Sequence, residues 1–395
     1  MSAPRPGPDL LDQFLRLHGA ETLGRSYVFV RLARINIAGH IDYSETSRIL
    51  SSIRSRSDWF PTWMAAADRH AALAARAQEL GADASAGDAY LRAALCAHWG
   101  TMFGDERAKS EAHRRSVELY TAGAAWFDPP SERAEIPFED DVLPAWVRAP
   151  RGSARGLVLM IGGADTNKEE LHHWGTELAR RGLRVVAFDG PGQGELAARY
   201  GRLPMRFDAF HRAVSAIVTW ALERWPDAGP VGIFGNSLGG YLALDAGRRD
   251  ERIAAVISNG GFCDARLRSS WPAPVVRAFG SCLGLGGDDE IVAHVAEHLD
   301  LSRVPAANRP AALVVHGGRE DLSGEDESAD AARLMDGTLL VLADGWHTCT
   351  NRDHVVSPLF ADWLAAALEG RSAPGFRAVH ATDETAYSEL FPSLP

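Results

Sequence analysis

The stretch GIFGNSLGG, residues 232–240, contains a serine whose neighbours suit nucleophilic chemistry. Ser237 follows the apolar run VGIFGN and precedes YLALDAGRR, which has the composition of a helix. Gly235 and Gly239 stand two residues before and two after it. A sharp strand-to-helix turn needs small residues at such places so that the serine protrudes. The pattern predicts that Ser237 is a nucleophile, with an ordinary glycine turn as the alternative.

A serine nucleophile needs a base that takes its proton, and a carboxylate that orients the base. After a turn of this kind the expected chain order is serine, acid and histidine, each on a loop that follows a strand. His347 follows the apolar run TLLVLADG, and we predict it as the base. The alternatives are His316, inside a predicted strand, and His354, in the next predicted helix.

The acidic loop REDLSGEDES follows the apolar run AALVVHGG and supplies the carboxylate. We predict Asp321, because a position shortly after the strand's glycines reaches the imidazole best. Glu320, Glu325 and Asp326 are the alternatives in the same loop.

Attack on a carbonyl also needs backbone N–H groups that stabilise the resulting oxyanion. Leu238, directly after the nucleophile, is predicted to supply one of them. The second is expected from the loop IGGADTNKEELHHW, where Gly162 and Gly163 permit an unusual backbone path. We therefore predict the Ala164 N–H as the second donor.

Two carboxylates in that loop, Asp165 and Glu169, are candidate substrate contacts. Capping of the following helix is the alternative for both. The glycine-rich stretch DGPGQGE, residues 189–195, is predicted to shape the pocket floor without taking part in the chemistry.

The elements that must position these residues divide the chain into domains. Helical periodicity from about Asp9 to Phe127 predicts an N-terminal all-helical domain, 1–132. An α/β domain over 133–372 and a tail over 373–395 follow. The apolar runs of the α/β domain suit strands that are buried on both faces of a parallel sheet. A hairpin and six such runs predict a mostly parallel eight-stranded sheet flanked by helices, with a helical insertion over 262–310.

Composition excludes several classes of function. The net charge of −11 argues against a nucleic-acid partner. We find neither a secretory signal nor an apolar run long enough for a membrane span, so a cytoplasmic protein is expected. Four scattered cysteines suggest neither disulfides nor a zinc site, and no metal or cofactor is predicted. The expected partner is a small-molecule substrate, and an apolar helical domain is compatible with a homodimer.

Five motifs between residues 156 and 352 resemble the α/β-hydrolase superfamily: IGGADTNKEE, AFDGPGQGE, GNSLGGYLA, HGGREDL and GWHTCTN. More narrowly, the chain resembles the subgroup with an N-terminal helical domain. That subgroup includes 2,6-dihydroxypseudooxynicotine hydrolase, fungal polyketide-shortening hydrolases and FrsA-like proteins. Its catalytic residues match Ser237, Asp321 and His347.

The resemblance implies a helical cap over the carboxyl edge of the sheet. It also implies hydrolysis of a carbon–carbon bond beside a ketone in a hydrophobic, aromatic or polyketide-like molecule. The departing carbon needs a proton donor. Asp264 stands where some relatives have an acidic residue after the sixth strand, although a solvated aspartate is the alternative. An esterase, thioesterase or acyl-transfer enzyme would use the same triad. A peptidase and an inactive binding protein are less expected.

Overall fold

The computed structural model describes residues 34–36, 40–103, 105–200, 203–264 and 271–391. The chain forms two compact units, Met1–Phe127 and Asp128–Pro395. The division lies just ahead of the predicted boundary at 132/133, because the first strand already begins at Ser131. The helix predicted over residues 9–19 lies outside the described residues, as does the helix predicted over 26–38 except for residues 34–36.

The first unit is helical over its described length, and polar side chains fix where its helices begin. Asp42 accepts a hydrogen bond from the Glu45 N–H at 2.9 Å, and Asp105 accepts one from the Ala108 N–H at 2.8 Å. Such bonds satisfy N–H groups that have no partner in the first turn. The main helices are α1 (Tyr43–Ser51), α2 (Arg56–Glu79), α3 (Asp83–Trp99) and α4 (Glu106–Gly123).

Small side chains let α2 and α3 pack closely. The Trp59 indole N–H of α2 donates to the Trp99 carbonyl of α3 at 2.7 Å and joins the two helices. The buried alanines of this pair include Ala66, Ala67, Ala74, Ala86, Ala93 and Ala97.

The second unit contains one nine-stranded sheet with the order β1-β2-β4-β3-β5-β6-β7-β8-β9. β1 pairs antiparallel with β2, and β2 pairs antiparallel with β4, whereas all other pairs are parallel. The strands are β1 (Ser131–Phe138), β2 (Asp141–Arg148), β3 (Gly156–Ile161), β4 (Leu183–Phe188), β5 (Val231–Asn236), β6 (Ile253–Asn259), β7 (Ala311–Gly317), β8 (Thr338–Leu342) and β9 (Arg377–Ala381).

The ninth strand corrects the prediction of eight strands and a tail over 373–395. Arg377–Ala381 pairs in parallel with β8 at the edge of the sheet. Only Val379 and Ala381 of this strand are buried. A five-residue strand with two buried side chains gives too short an alternating pattern to stand out from a loop.

In the second unit, at least one helix follows each strand from β3 to β9. Two of these helices, α9 and α10, lie within the long segment 262–310 between β6 and β7. No helix of the described ranges is both long and apolar enough to cross a bilayer. The helices are α5 (His172–Arg180), α6 (Gly194–Tyr200), α7 (Phe210–Arg224), α8 (Leu238–Arg249), α9 (Ala273–Leu283), α10 (Asp288–His298), α11 (Glu325–Leu334), α12 (Asp353–Leu368) and α13 (Ala386–Leu390).

Candidate active site

The turn between β5 and α8 holds Ser237 in a strained backbone conformation, with φ 54° and ψ −122°. A positive φ is uncommon for any residue with a Cβ. Two backbone bonds fix the turn: the Ser237 N–H donates to the Asn259 carbonyl, and the Gly240 N–H donates to the Ser237 carbonyl, both at 2.8 Å. Ser237 is therefore presented at the carboxyl edge of the sheet.

The glycines around Ser237 are required by close backbone contacts. A Cβ at Gly235 would collide with the Gly239 carbonyl, and one at Gly239 would collide with the Ile161 carbonyl of β3. Both side chains must be absent for the strand to turn directly into the helix. The structure thus contains the strand-to-helix turn that the sequence predicts.

His347 begins a short 3₁₀ segment after β8, and its imidazole reaches Ser237. Its Nε2 lies 2.8 Å from the Ser237 Oγ, which is hydrogen-bonding distance. Thr348 and Cys349 have φ values of 58° and 51°, so the chain reverses sharply just after the histidine. The Cys349 N–H donates to the Trp346 carbonyl at 2.8 Å and stabilises this reversal.

The carboxylate that contacts His347 belongs to Glu320 and not to Asp321, which corrects the prediction. The two Glu320 oxygens lie 2.9 and 2.8 Å from His347 Nδ1. The Glu320 N–H donates to the Gly317 carbonyl at 2.8 Å, and this tight turn brings residue 320 against the histidine loop. Asp321, one residue further on, is exposed to solvent.

Three of the four other acidic and histidine alternatives have contacts elsewhere. Glu325 lies 2.8 Å from His380, on the edge strand. His316 contacts the Ser328 hydroxyl at 3.1 Å within the packed interior. His354 is largely exposed and lies 3.3 Å from Asp383. None of these contacts leads to Ser237.

Charge around the imidazole favours its protonated form. Burial lowers the pKa of His347, but the charge of Glu320 and its hydrogen bond more than offset that effect and raise the pKa above the ordinary value of 6.5. Asp321 and Asp165 add smaller contributions in the same direction. For Glu320 the two effects have the opposite signs. Burial raises the pKa of its carboxyl group, but the charge of His347 and its hydrogen bond outweigh burial and lower that pKa. Glu320 therefore suits the stabilisation of an imidazolium that forms during reaction.

Asn259, at the end of β6, joins the serine turn to the histidine loop. Its Nδ2 donates to the Asn236 side-chain oxygen and to the Thr348 carbonyl, both at 2.8 Å. The side chain is fully buried. Because one carboxamide bonds both loops, it fixes the distance between the residues that precede Ser237 and follow His347.

The loop after β3 borders the nucleophile on its other side. A Cβ built on Gly163 would lie 3.2 Å from the Ser237 Cβ. Leu238 is the first residue of α8, where N–H groups point out of the helix end. The assignment of the Ala164 and Leu238 N–H groups as oxyanion donors stays a prediction.

Five charged side chains form a buried group behind this loop, which we call the charged cluster. The Lys168 ammonium lies 2.7–3.0 Å from three carboxylates, and two parallel bonds of 2.7 Å join Arg133 to Glu195. The Asp189 carboxylate also accepts from the Lys168 and Glu195 N–H groups. Its bonds therefore connect the loops after β3 and β4. The members are Arg133, Lys168, Glu169, Asp189 and Glu195.

Glu169 belongs to the charged cluster and is buried, so the prediction that it contacts substrate is wrong. Its side chain is 0% exposed, and one oxygen accepts from the Trp146 indole N–H at 2.7 Å. The same oxygen lies 2.9 Å from the Lys168 ammonium. Asp165 and Asp264 are both half-buried, and their roles stay predictions. The Asp264 N–H donates to Glu327 at 3.2 Å, which holds the loop after β6.

Aromatic side chains flank the imidazole. The Phe262 ring faces the His347 ring, with 6.3 Å between ring centroids and 30° between the ring planes. Trp271 and Phe279 pack on Phe262 at 5.1 and 6.0 Å. This wall combines the loop after β6 with helix α9, so the long connection contributes apolar surface beside the base.

The described residues contain no group of three or more His, Cys, Asp or Glu side chains that could hold a metal ion. The four cysteines are buried free thiols: Cys96, Cys263, Cys282 and Cys349.

Similarity to known proteins shows the family to which the chain belongs. A family model described as "Serine aminopeptidase, S33" matches residues 152–286. The chain is 31% identical over 309 residues to 2,6-dihydropseudooxynicotine hydrolase of Paenarthrobacter nicotinovorans. This alignment covers 78% of this chain and 83% of that relative. The chain is 36% identical over 228 residues to 20-hydroxy-prefusarin hydrolase FUS2 of Gibberella moniliformis, and spans about half of that relative (52%).

A solved structure titled 2,6-dihydroxy-pseudo-oxynicotine hydrolase has the same fold. It superposes with a TM-score of 0.78 at 28% identity, and the match covers 87% of this chain and 98% of that one. The chain therefore belongs to the α/β-hydrolase superfamily, in the family of 2,6-dihydropseudooxynicotine hydrolase. It is accordingly a hydrolase, as the sequence motifs predict.

Proposed function

We propose that the protein is a serine hydrolase in which Ser237, His347 and Glu320 act as the triad. Its substrate is proposed to be a ketone in an aromatic or polyketide-like small molecule. The observation that supports the triad is the position of His347, within 2.9 Å of both Ser237 and Glu320. Nucleophile, base and orienting carboxylate occupy loops at one edge of the sheet, which is the arrangement that acyl transfer requires.

In the proposed reaction the Ser237 oxygen attacks the ketone carbon while His347 Nε2 takes the hydroxyl proton. The carbonyl oxygen becomes an oxyanion, for which the Ala164 and Leu238 N–H groups are the proposed donors. Collapse breaks the adjacent carbon–carbon bond and releases a stabilised carbanion, which takes the proton. Water, activated by His347, then hydrolyses the acyl-serine. Glu320 stabilises the imidazolium in both halves.

Two observations favour a carbon–carbon bond beside a ketone over a simple ester. The family resemblance implies that chemistry, and the relatives are named for hydrolysis of pseudooxynicotine and prefusarin compounds. The aromatic wall of Phe262, Trp271 and Phe279 beside His347 suits an apolar or aromatic group. Asp264 is the proposed carboxyl group that relays this proton from His347 to the departing carbon, because a carbanion is a poorer leaving group than an alkoxide and gains more from a nearby acid.

The test compares benzoylacetone, an aromatic β-diketone, with p-nitrophenyl acetate in H₂¹⁸O, using wild type and Ser237→Ala. We expect wild type to convert the diketone into a carboxylic acid and a ketone, with ¹⁸O in the acid. Ser237→Ala should lose this activity while keeping its thermal unfolding midpoint.

Three results would contradict parts of the proposal. Turnover of the ester alone would point to an esterase. Cleavage of an aminoacyl p-nitroanilide alone would point to a peptidase, in line with the matched family model. Full activity of Ser237→Ala would remove the nucleophile assignment.

A further inference from the structure

The side chain of Gln193 lies between the loops after β3 and β4 and bonds to the backbone of both. It is 2% exposed. Its Nε2 donates to the Gly162 carbonyl at 2.8 Å and to the Gly163 carbonyl at 3.3 Å. Its Oε1 accepts from the Gly190 N–H at 3.3 Å. A buried carboxamide with both ends bonded connects the two loops rigidly.

These bonds determine the direction of one backbone N–H. In a planar trans peptide the carbonyl of one residue points opposite to the N–H of the next. The cis bond of the described chain is Asp128–Pro129, so the peptide from Gly163 to Ala164 is trans. The Gly163 carbonyl accepts from Gln193 and also from the Thr166 N–H at 3.4 Å. The Ala164 N–H must therefore point away from Gln193.

The neighbouring peptides of the same loop are also fixed. The Ala164 carbonyl accepts from the Cys282 thiol at 3.0 Å. Gly163 touches the nucleophile turn, since a Cβ built there would lie 3.2 Å from the Ser237 Cβ and 3.4 Å from the Asn236 carbonyl. The peptide that Gln193 orients is thus adjacent to the serine.

The charged cluster holds Gln193 itself in place. Asp189 and Glu195 flank it in the chain, and the Asp189 carboxylate accepts from the Glu195 N–H at 2.9 Å. The same carboxylate accepts from the Lys168 N–H at 2.8 Å, on the opposite loop. The loop around Gln193 is therefore anchored on both sides.

We propose that Gln193 is a positioning residue for the oxyanion hole: it orients the Gly163–Ala164 peptide so that the Ala164 N–H faces the reacting oxygen. The inference rests on the proposed serine chemistry and deepens it. A donor fixed in advance stabilises the oxyanion without rearranging during the reaction. Gln193 acts through the backbone and does not touch substrate in this scheme.

The test uses Gln193→Met, which keeps a side chain of similar length but removes the donor. Two quantities are measured: kcat and KM for p-nitrophenyl acetate, and the inhibition constant of an aryl trifluoromethyl ketone. Ser237 Oγ adds to the ketone carbon, its proton passes to His347, and the ketone oxygen becomes the oxyanion. Loss of one oxyanion donor costs about 100- to 1,000-fold in kcat, so a misdirected donor should cost about 10- to 100-fold.

We expect kcat to fall by that factor and ketone binding to weaken in proportion, with KM changed by less than about twofold. Asn308→Leu is the control, because Asn308 also donates from its carboxamide to three backbone carbonyls, those of Gly247, Asp250 and Ile253. It should lower the unfolding midpoint without altering kcat or ketone binding.

Unchanged kcat and ketone binding in Gln193→Met would overturn the inference while leaving the proposed function intact. Equal losses in both variants, in step with their unfolding midpoints, would also overturn it. A wild type that hydrolyses neither benzoylacetone nor the ester and does not bind the ketone would instead overturn the proposed function, and this inference with it.

Discussion

The triad and the charged cluster are both buried groups of charged side chains at the carboxyl edge of one sheet, but their protons behave differently. In the cluster, attraction to three carboxylates outweighs burial and raises the pKa of Lys168. Burial raises the pKa of Glu195, but Arg133 and Lys168 reverse the effect and lower it to about 2. Lys168 and Glu195 therefore keep their charges at ordinary pH, whereas burial raises the pKa of Asp189. In the triad, His347 alone can change charge near neutrality.

The two groups therefore contribute differently. Buried charges bonded to one another and to backbone on two loops hold the shape of those loops. An imidazole between a hydroxyl and a buried carboxylate can take up and return a proton. Changes in the triad should therefore affect the rate, and changes in the cluster should affect stability.

The largest expected effect is the loss of kcat in Glu320→Gln, which distinguishes Glu320 from the adjacent Asp321 as the orienting acid. Because Glu320 orients and charges the imidazole, kcat should fall by about 10⁴-fold with the fold intact. Asp321→Asn is the matched control. Its carboxylate is exposed, so its interaction with the His347 imidazolium is worth less than about 1 kcal/mol. We therefore expect kcat to change by less than about fivefold. Steady-state kinetics decide the point, and the reverse order of the two effects would restore Asp321 as the orienting acid.

Lys168→Met tests the charged cluster. It leaves three buried carboxylates facing one remaining cation, and the free energy of unfolding should fall by about 3–5 kcal/mol. The only other lysine, Lys109, pairs with an exposed Glu106. Lys109→Met should therefore cost less than about 1 kcal/mol. Urea denaturation of the two variants gives the comparison, and equal losses would show that the cluster does not stabilise the loops.

The smallest effect expected is on the pH profile. His347 must be neutral to take the serine proton, and its pKa is raised, so kcat/KM should fall as pH drops through a value above 6.5. Asp321→Asn removes one carboxylate that favours the imidazolium, and should move this acid limb to lower pH. A wild-type limb centred below 6.5, or a shift in the other direction, would contradict the electrostatic description.

Positions with strict steric demands were predictable from the sequence. The turn at Ser237 requires glycine at fixed offsets, because any Cβ at Gly235 or Gly239 meets backbone. The long apolar strands were equally clear, since burial on both faces leaves no polar alternation. The position of His347 just after β8 allowed its prediction as the base, and in the structure its imidazole lies within hydrogen-bonding distance of Ser237.

The choice between Glu320 and Asp321 was not predictable, because adjacent carboxylates differ only in which way a tight turn directs them. Gln193 and Asn259 gave no signal either, since a carboxamide that bonds backbone has no spacing pattern. Lys168 did give a signal in the sequence, because it is a lysine in a chain whose other cations are nearly all arginine. Its role depends on carboxylate partners that follow β3 and β4, which only the folded chain brings together.

The most direct test of the proposed triad is reaction with a fluorophosphonate, followed by intact-mass measurement and peptide mapping. A working triad makes one serine far more nucleophilic than all others. We expect a single adduct on Ser237 in the wild type, slow labelling in Glu320→Gln and no adduct in Ser237→Ala. An unlabelled wild type, or an adduct that maps to another serine, would contradict the claim that Ser237, His347 and Glu320 form the catalytic triad.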